Sequence, residues 1–151
     1  GCRYKHYSNL NEALYDVMRL ARGMSYKSAL AGLPLGGGKA IIFKTANQTN
    51  REHLFESFGE MVDQLNGRYI TAVDSGTKPA DMDYIARKTK HVTSTQKGDP
   101  SPFTAKGVFQ SIKAAIHYYQ KKETLNNVHV AIQGLGNVGY HLAKLLAQAG
   151  A

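Results

Sequence analysis

The segment that most constrains the fold lies near the end of the sequence. Val128-His129-Val130-Ala131-Ile132 is a short apolar run that reads as a buried strand. Gln133 follows, then Gly134-Leu135-Gly136-Asn137-Val138-Gly139, then Leu142, Leu145 and Leu146 on one helical face. Glycines at the first, third and sixth positions between a strand and a helix are the layout of a dinucleotide-binding βα unit. Gly134 makes the turn, Gly136 lets backbone approach a pyrophosphate, and Gly139 lets helix pack on strand. Leu135, Asn137 and Val138 complete the candidate cofactor-binding loop. The pyrophosphate would sit at the helix start, where free N–H groups and the positive dipole end favour anions. The plain alternative is a glycine-rich turn with no ligand. The acidic residue that grips the ribose, expected about 20 residues further on, falls past Ala151. NAD and NADP therefore both stay open.

The rest of the chain alternates apolar strands with amphipathic helices, which predicts an α/β fold. Asn9 to Glu12 resembles a helix cap, and Leu14, Val17, Met18 and Ala21 recur at helical spacing until Gly23. Ser25 to Ala31 reads as a second short helix with Lys27 in its first turn. Ala40 to Phe43 reads as a strand and Asn50 to Leu65 as a helix stopped by Asn66-Gly67. Arg68 to Val73 reads as a strand ending at Asp74. A helix from Lys78-Pro79, a short strand at 91–93, a turn over 99–102 and a long helix to Gln120 follow. The polar stretch 121–127 predicts a boundary. Residues 1–124 are then a substrate-binding catalytic domain with a mixed sheet and flanking helices, its N-terminal part missing. Residues 125–151 are the truncated start of a Rossmann nucleotide-binding domain. Since one βα unit cannot bury a doubly wound sheet, residues 1–151 alone are expected not to turn over substrate.

A second glycine cluster carries the chemistry. Leu35-Gly36-Gly37-Gly38-Lys39 sets a lysine against three glycines, so backbone can approach a ligand closely and the amine can sit partly out of water. Burial and a nearby cation such as Lys27 both lower a lysine's proton affinity, which makes the amine useful as a base. Asp74 follows one predicted strand and Lys39 precedes another, at sheet ends where open α/β folds collect ligands. A lysine and a carboxylate together there can shuttle protons. Taken singly, Asp74 also reads as a turn residue before Ser75-Gly76, and Lys27 as an exposed helical lysine.

These stretches resemble the glutamate/leucine/phenylalanine/valine dehydrogenase family, most closely its leucine-specific branch. Leu20 to Lys27, Ala31 to Lys39, Leu65 to Ala72, Asp74, Gly76-Thr77, Asp81-Met82-Asp83, Asp99 to Pro102, Thr104-Ala105 and the Gly134–Gly139 loop carry the resemblance, in order. The resemblance implies reversible oxidative deamination of an L-amino acid to a 2-oxo acid and ammonia, with a nicotinamide dinucleotide, NAD by preference, taking the hydride. It assigns Lys39 as the catalytic lysine that activates water, and Asp74 as the carboxylate that exchanges protons with the amino nitrogen. Lys27 would bind the substrate carboxylate, and Met24, Ala72 and Gly1 would line the substrate site. Thr104 would lie near the nicotinamide. Leucine or valine is favoured, because Ala72 beside an apolar run leaves room for an aliphatic side chain. A homo-oligomer is also implied.

Several other classes fit poorly. A phosphate-binding NTPase loop needs glycine at position 33 and serine or threonine after Lys39, where this chain has Leu33 and Ala40. The 19 lysines and arginines against 11 acids give +8 and a pI near 9.6, which raises a nucleic-acid partner. The cations are scattered, with no basic stripe interleaved with aromatics, so solvated surface is the expected reading. No run of about 18 apolar residues suggests a membrane span. A single Cys2 allows no internal disulfide and fits a reducing cytoplasm. The histidines lack metal-ligand spacing, so no metal is expected. The remaining rival is a sensing or assembly protein that kept the fold and lost the chemistry. Retention of both lysines and the aspartate argues against it.

Overall fold

The computed structural model describes residues 1–46, 50–93 and 99–151. They fall into two compact units, Gly1–Gly98 and Asp99–Ala151. The elements of the first are β1 (Cys2–Lys5), α1 (Leu10–Leu30), β2 (Ala40–Phe43), α2 (Arg51–Gln64) and α3 (Pro79–Ala86). The second holds α4 (Ser101–Gln120) and α5 (Asn137–Gln148). The division falls ahead of the polar stretch at 121–127, because α4 packs on α5 and shares its core.

In the first unit β1 lies at the centre. It pairs in parallel with β2, Cys2 opposite Ala40 and Lys5 opposite Phe43. On its other side Cys2 N–H donates to Ala72 O and Tyr4 N–H to Ser75 O, each at 3.0 Å, also in the parallel sense. A further parallel bridge joins Thr71 to Val92. Every described pairing is therefore parallel, so of the expected mixed sheet the described residues show only parallel strands. The expected strands over 68–73 and 91–93 shrink to this bridge and its irregular neighbours. Strand β1 escapes the sequence reading because Cys-Arg-Tyr-Lys alternates buried and outward residues within only four positions.

The first helix is longer than expected. Asn9 caps it by accepting from the Glu12 N–H at 2.9 Å. Gly23 does not stop it, since only a glycine in the left-handed region ends a helix in this way. Gly32, at φ +65°, does so, and Leu33 N–H donates back to Ser28 O at 2.9 Å. The expected second helix is thus the last part of α1, and Lys27 stands in its last turn rather than a first one.

Cys2, Tyr4, Phe55, Met82 and Ile85 form the buried core of this unit. Helices α2 and α3 meet closely at Gly59, where a Cβ would lie 2.9 Å from Ile85 O. By contrast, Leu10, Leu14 and Val17 of α1 face Leu54, Phe58 and Met61 of α2 across an open apolar hollow of about 950 Å³. In the second unit Ala105, Leu125, Val128, Leu142 and Leu146 are buried together. The expected strand at 128–132 carries no strand hydrogen bonding among the described residues, because a strand needs a neighbour to pair with. Among the described residues no helix is long and apolar enough to cross a membrane.

An ion pair with a buried carboxylate ties α2 to α3. Arg51 donates Nε and Nη2 to the two oxygens of Asp81, each at 2.7 Å, and stacks over Tyr4 and Phe55. Asp81 is fully buried and also accepts the Lys78 N–H at the start of α3, at 2.6 Å. Replacing Asp81 by alanine uncaps α3 and removes both hydrogen bonds from Arg51, whose side chain is 36% exposed and can turn to water. The expected loss is about 1–2 kcal/mol, read as a lowered urea midpoint, whereas Lys88→Ala at a surface pair should barely move it.

Candidate active site

The reactive pair is assembled by three pieces of backbone that converge on β1. Asp74 opens a turn in which Thr77 N–H donates to Asp74 O at 3.0 Å. Gly76, third in that turn, has φ +83°, the left-handed conformation that a type II turn demands there. A Cβ on Gly76 would lie 1.9 Å from Tyr4 O, so only glycine lets the turn seat against β1. Thr77 locks it further: its Oγ1 accepts the Asp74 N–H and donates to Asp74 O, both at 2.8 Å. Asp74 is thereby both a turn residue and a candidate reactive group.

Lys39 arrives from the glycine run just ahead of β2. Its Nζ meets Asp74 Oδ2 at 3.0 Å with only 7% of the side chain exposed. Arg3 of β1 reaches the same oxygen through Nε, also at 3.0 Å. Burial pushes the Asp74 carboxyl up. The hydrogen bond and charge of Lys39, the Ser75 N–H and Arg3 outweigh it and hold the group below its ordinary value.

The three glycines divide their labour in a way their sequence does not reveal. A Cβ at Gly37 would lie 1.9 Å from Ala21 O and 2.5 Å from Ser25 N, so this glycine lets the loop press on α1. One at Gly38 would lie 2.9 Å from the Tyr69 ring. Only at Gly36 would a Cβ meet nothing within 4 Å, which leaves open space for a ligand.

A cavity of about 390 Å³ brings together Gly1, Met24, Ala72 and Gly36 to Gly38, but neither Lys39 nor Asp74 lines it; Lys39 lines the larger hollow between α1 and α2. The cavity and the pair are neighbours through Gly1, where a Cβ would lie 3.6 Å from Lys39 Nζ. Tyr69 and Arg68 also line the cavity. Burial pushes the Tyr69 hydroxyl up to about 12, so it stays protonated and donates to Gly1 O at 2.8 Å. Arg3 lies outside every stretch that carries the resemblance, and Tyr69, though within Leu65 to Ala72, has no role in the sequence reading because its partner Gly1 is distant in sequence. Lys27 does not line the cavity. Its neighbours Met24 and Ser28 do, and among the described residues its exposed side chain makes no hydrogen bond or ion pair.

In the second unit, Gly134 turns the chain at φ +90° and Gly136 stands at the start of α5 with nothing near its missing Cβ. A Cβ at Gly139 would lie 2.1 Å from Gly134 O, so the helix packs on the turn only with glycine there. Turn, open approach and close packing fall on the three expected glycines, and Leu135, Asn137 and Val138 lie between them. This geometry fits a dinucleotide's pyrophosphate. Thr104 is exposed in the first turn of α4, where its hydroxyl donates to Pro100 O at 3.3 Å.

Two predictions follow from this geometry. Gly37→Ala should destabilise the protein by about 1–3 kcal/mol in urea unfolding, whereas Gly36→Ala should leave the midpoint unchanged. Equal effects would refute the division of roles. For Asp74, the folded value lies below the ordinary 3.8, so its stabilising contribution is fully present above that value. It is lost as pH falls through the lowered one. The stability gap between wild type and Asp74→Asn, measured by unfolding across pH, should therefore be widest above pH 3.8 and close in more acidic solution.

Residues 1–91 match the family model described as Glu/Leu/Phe/Val dehydrogenase, dimerisation domain, and residues 99–151 match glutamate/leucine/phenylalanine/valine dehydrogenase. The leucine dehydrogenase of Geobacillus stearothermophilus is 47% identical over all of this chain, which spans 42% of that protein. The valine dehydrogenase of Streptomyces albus is 44% identical, again over the whole chain and 43% of its own length. Among solved structures, L-tryptophan dehydrogenase from Nostoc punctiforme superposes with a TM-score of 0.71 at 41% identity, covering 99% of this chain and 43% of that one. The chain thus spans less than half the length of these relatives. With matched models over both compact units, it belongs to the Glu/Leu/Phe/Val dehydrogenase family.

Proposed function

We propose that the protein carrying this chain oxidises an L-amino acid to a 2-oxo acid and ammonia, with a nicotinamide dinucleotide as hydride acceptor. The observation that carries this reading is the buried contact between Lys39 and Asp74 beside a cavity lined by glycine backbone, Met24 and Ala72. Deamination needs one group to activate water at the α-carbon and another to exchange protons with the nitrogen. Lys39 takes the first role and Asp74 the second. Lys27, one turn along from Met24, is the cation for the substrate carboxylate, and Gly1, Met24 and Ala72 shape the space around the substrate. Gly134 to Gly139 hold the pyrophosphate, with Thr104 near the nicotinamide, and the bound dinucleotide supplies the hydride sink.

Aliphatic substrates suit the cavity walls, and leucine or valine is the proposed substrate class. The identities to leucine and valine dehydrogenases point the same way. NAD is the proposed cofactor. The matched dimerisation domain supports a homo-oligomer. Small molecules rather than nucleic acid or membrane are the proposed ligands, and the cytoplasm the proposed compartment.

The full-length protein should reduce NAD with L-leucine or L-valine faster than with L-phenylalanine or L-glutamate. Lys39→Ala should lose at least about 10²-fold in kcat while remaining folded. Dinucleotide binding without oxidation of any amino acid would replace this reading with the sensing one.

A further inference from the structure

Arg3 makes contacts for which proton exchange between Lys39 and Asp74 has no direct need. Its guanidinium spans two carboxylates, Nε on Asp74 Oδ2 and Nη1 on Asp16 Oδ2, each at 3.0 Å. Asp16, on α1, is fixed in turn by the Tyr7 hydroxyl at 2.6 Å. Burial and Asp16 push that hydroxyl up to about 12, so Tyr7 donates throughout the working range. A continuous chain of contacts thus runs from Tyr7 through Asp16, Arg3 and Asp74 to Lys39, drawing on β1, α1 and the Asp74 turn.

Arg3 and Lys39 converge on the same carboxylate oxygen. They are not interchangeable partners. Lys39 has a flexible stem and must turn toward the substrate when it acts on water. A guanidinium is planar, always charged and held here at two points. When Lys39 leaves Asp74, Arg3 is the cation that stays. We infer that Arg3 is a positioning residue for the reaction, keeping Asp74 oriented and ionised while Lys39 moves between Asp74 and the substrate. The inference rests on the deamination chemistry proposed above. The charged and titratable groups facing Asp74 are Arg3 from β1, Lys39 from the glycine run and Tyr69. Removing Arg3 takes away a permanent positive charge, so the Asp74 carboxyl must titrate at higher pH.

The test uses the full-length protein with Arg3→Gln and Arg3→Lys. In NAD reduction with L-leucine, Arg3→Gln should keep KM within about threefold and lose about tenfold or more in kcat. The acid limb of its kcat/KM profile should move to higher pH, and Arg3→Lys, which keeps charge but not the fork, should fall between. A second readout needs no turnover: carbodiimide labels protonated carboxyls, and labelling of Asp74, followed by peptide mass spectrometry, should persist to higher pH in Arg3→Gln. Wild-type kcat, acid limb and labelling in folded variants would overturn the inference. If Arg3→Gln fails to fold, Arg3→Lys decides on the same measures. If the wild-type protein itself oxidises no amino acid, the deamination reading fails, and the labelling midpoint alone judges Arg3.

Discussion

The seating of the Asp74 turn against β1 is the constraint on which the candidate site depends. β1 donates from Cys2 and Tyr4 to Ala72 and Ser75, while Gly76 packs its bare Cα against the Tyr4 carbonyl. That contact leaves no room for a side chain. The same strand holds Ala40 and Lys44 through the carbonyls of Gly1 and Lys5, so the lysine loop and the aspartate turn are registered on one short ladder. Because Lys39 and Asp74 are brought to opposite sides of β1, a shift of either flank would separate amine from carboxylate. Arg3 projects from the same strand and meets Asp74 directly.

Glycine does three different jobs around this pair, and the structure separates them. Gly37 and Gly38 admit neighbouring atoms of α1 and Tyr69, Gly76 supplies a left-handed turn, and Gly36 alone faces open space. Gly36, Gly37 and Gly38 all line the cavity, but only at Gly36 would a side chain find open space. The nucleotide loop repeats this division, with Gly134 in the turn, Gly136 open and Gly139 packed.

Ion pairs in the first unit carry different weight according to burial. Asp81 is enclosed and receives both arms of Arg51, whose own side chain keeps 36% exposure, so it is loss of Arg51 that would leave a buried charge unpaired. Arg87 with Glu52 and Glu56 is solvated, and such pairs contribute little. In the Lys39–Asp74 pair both side chains are largely enclosed. Asp74 keeps 22% of its side chain exposed, enough to exchange protons, while Lys39 at 7% is nearly enclosed.

Local pattern in the chain determined much of this. The helices over α2, α3 and α4, the strand at Ala40 to Phe43, the Asn9 cap and the Gly-x-Gly-x-x-Gly turn all follow from short-range periodicity and turn chemistry, which act within a few residues. The family motif also singled out Lys39, Asp74, Gly1, Met24 and Ala72. Tertiary structure decided what depends on distant partners. Whether Gly23 breaks a helix depends on its backbone angle, and whether 68–73 or 128–132 becomes a strand depends on what lies alongside. Arg3, Asp16 and Tyr7 lie outside every stretch that carries the resemblance, and Tyr69 lies in one that gives it no role. They acquire their place through contacts across as many as 71 positions of chain, and a hydrogen bond of that reach is visible only once the backbone has brought its two ends together.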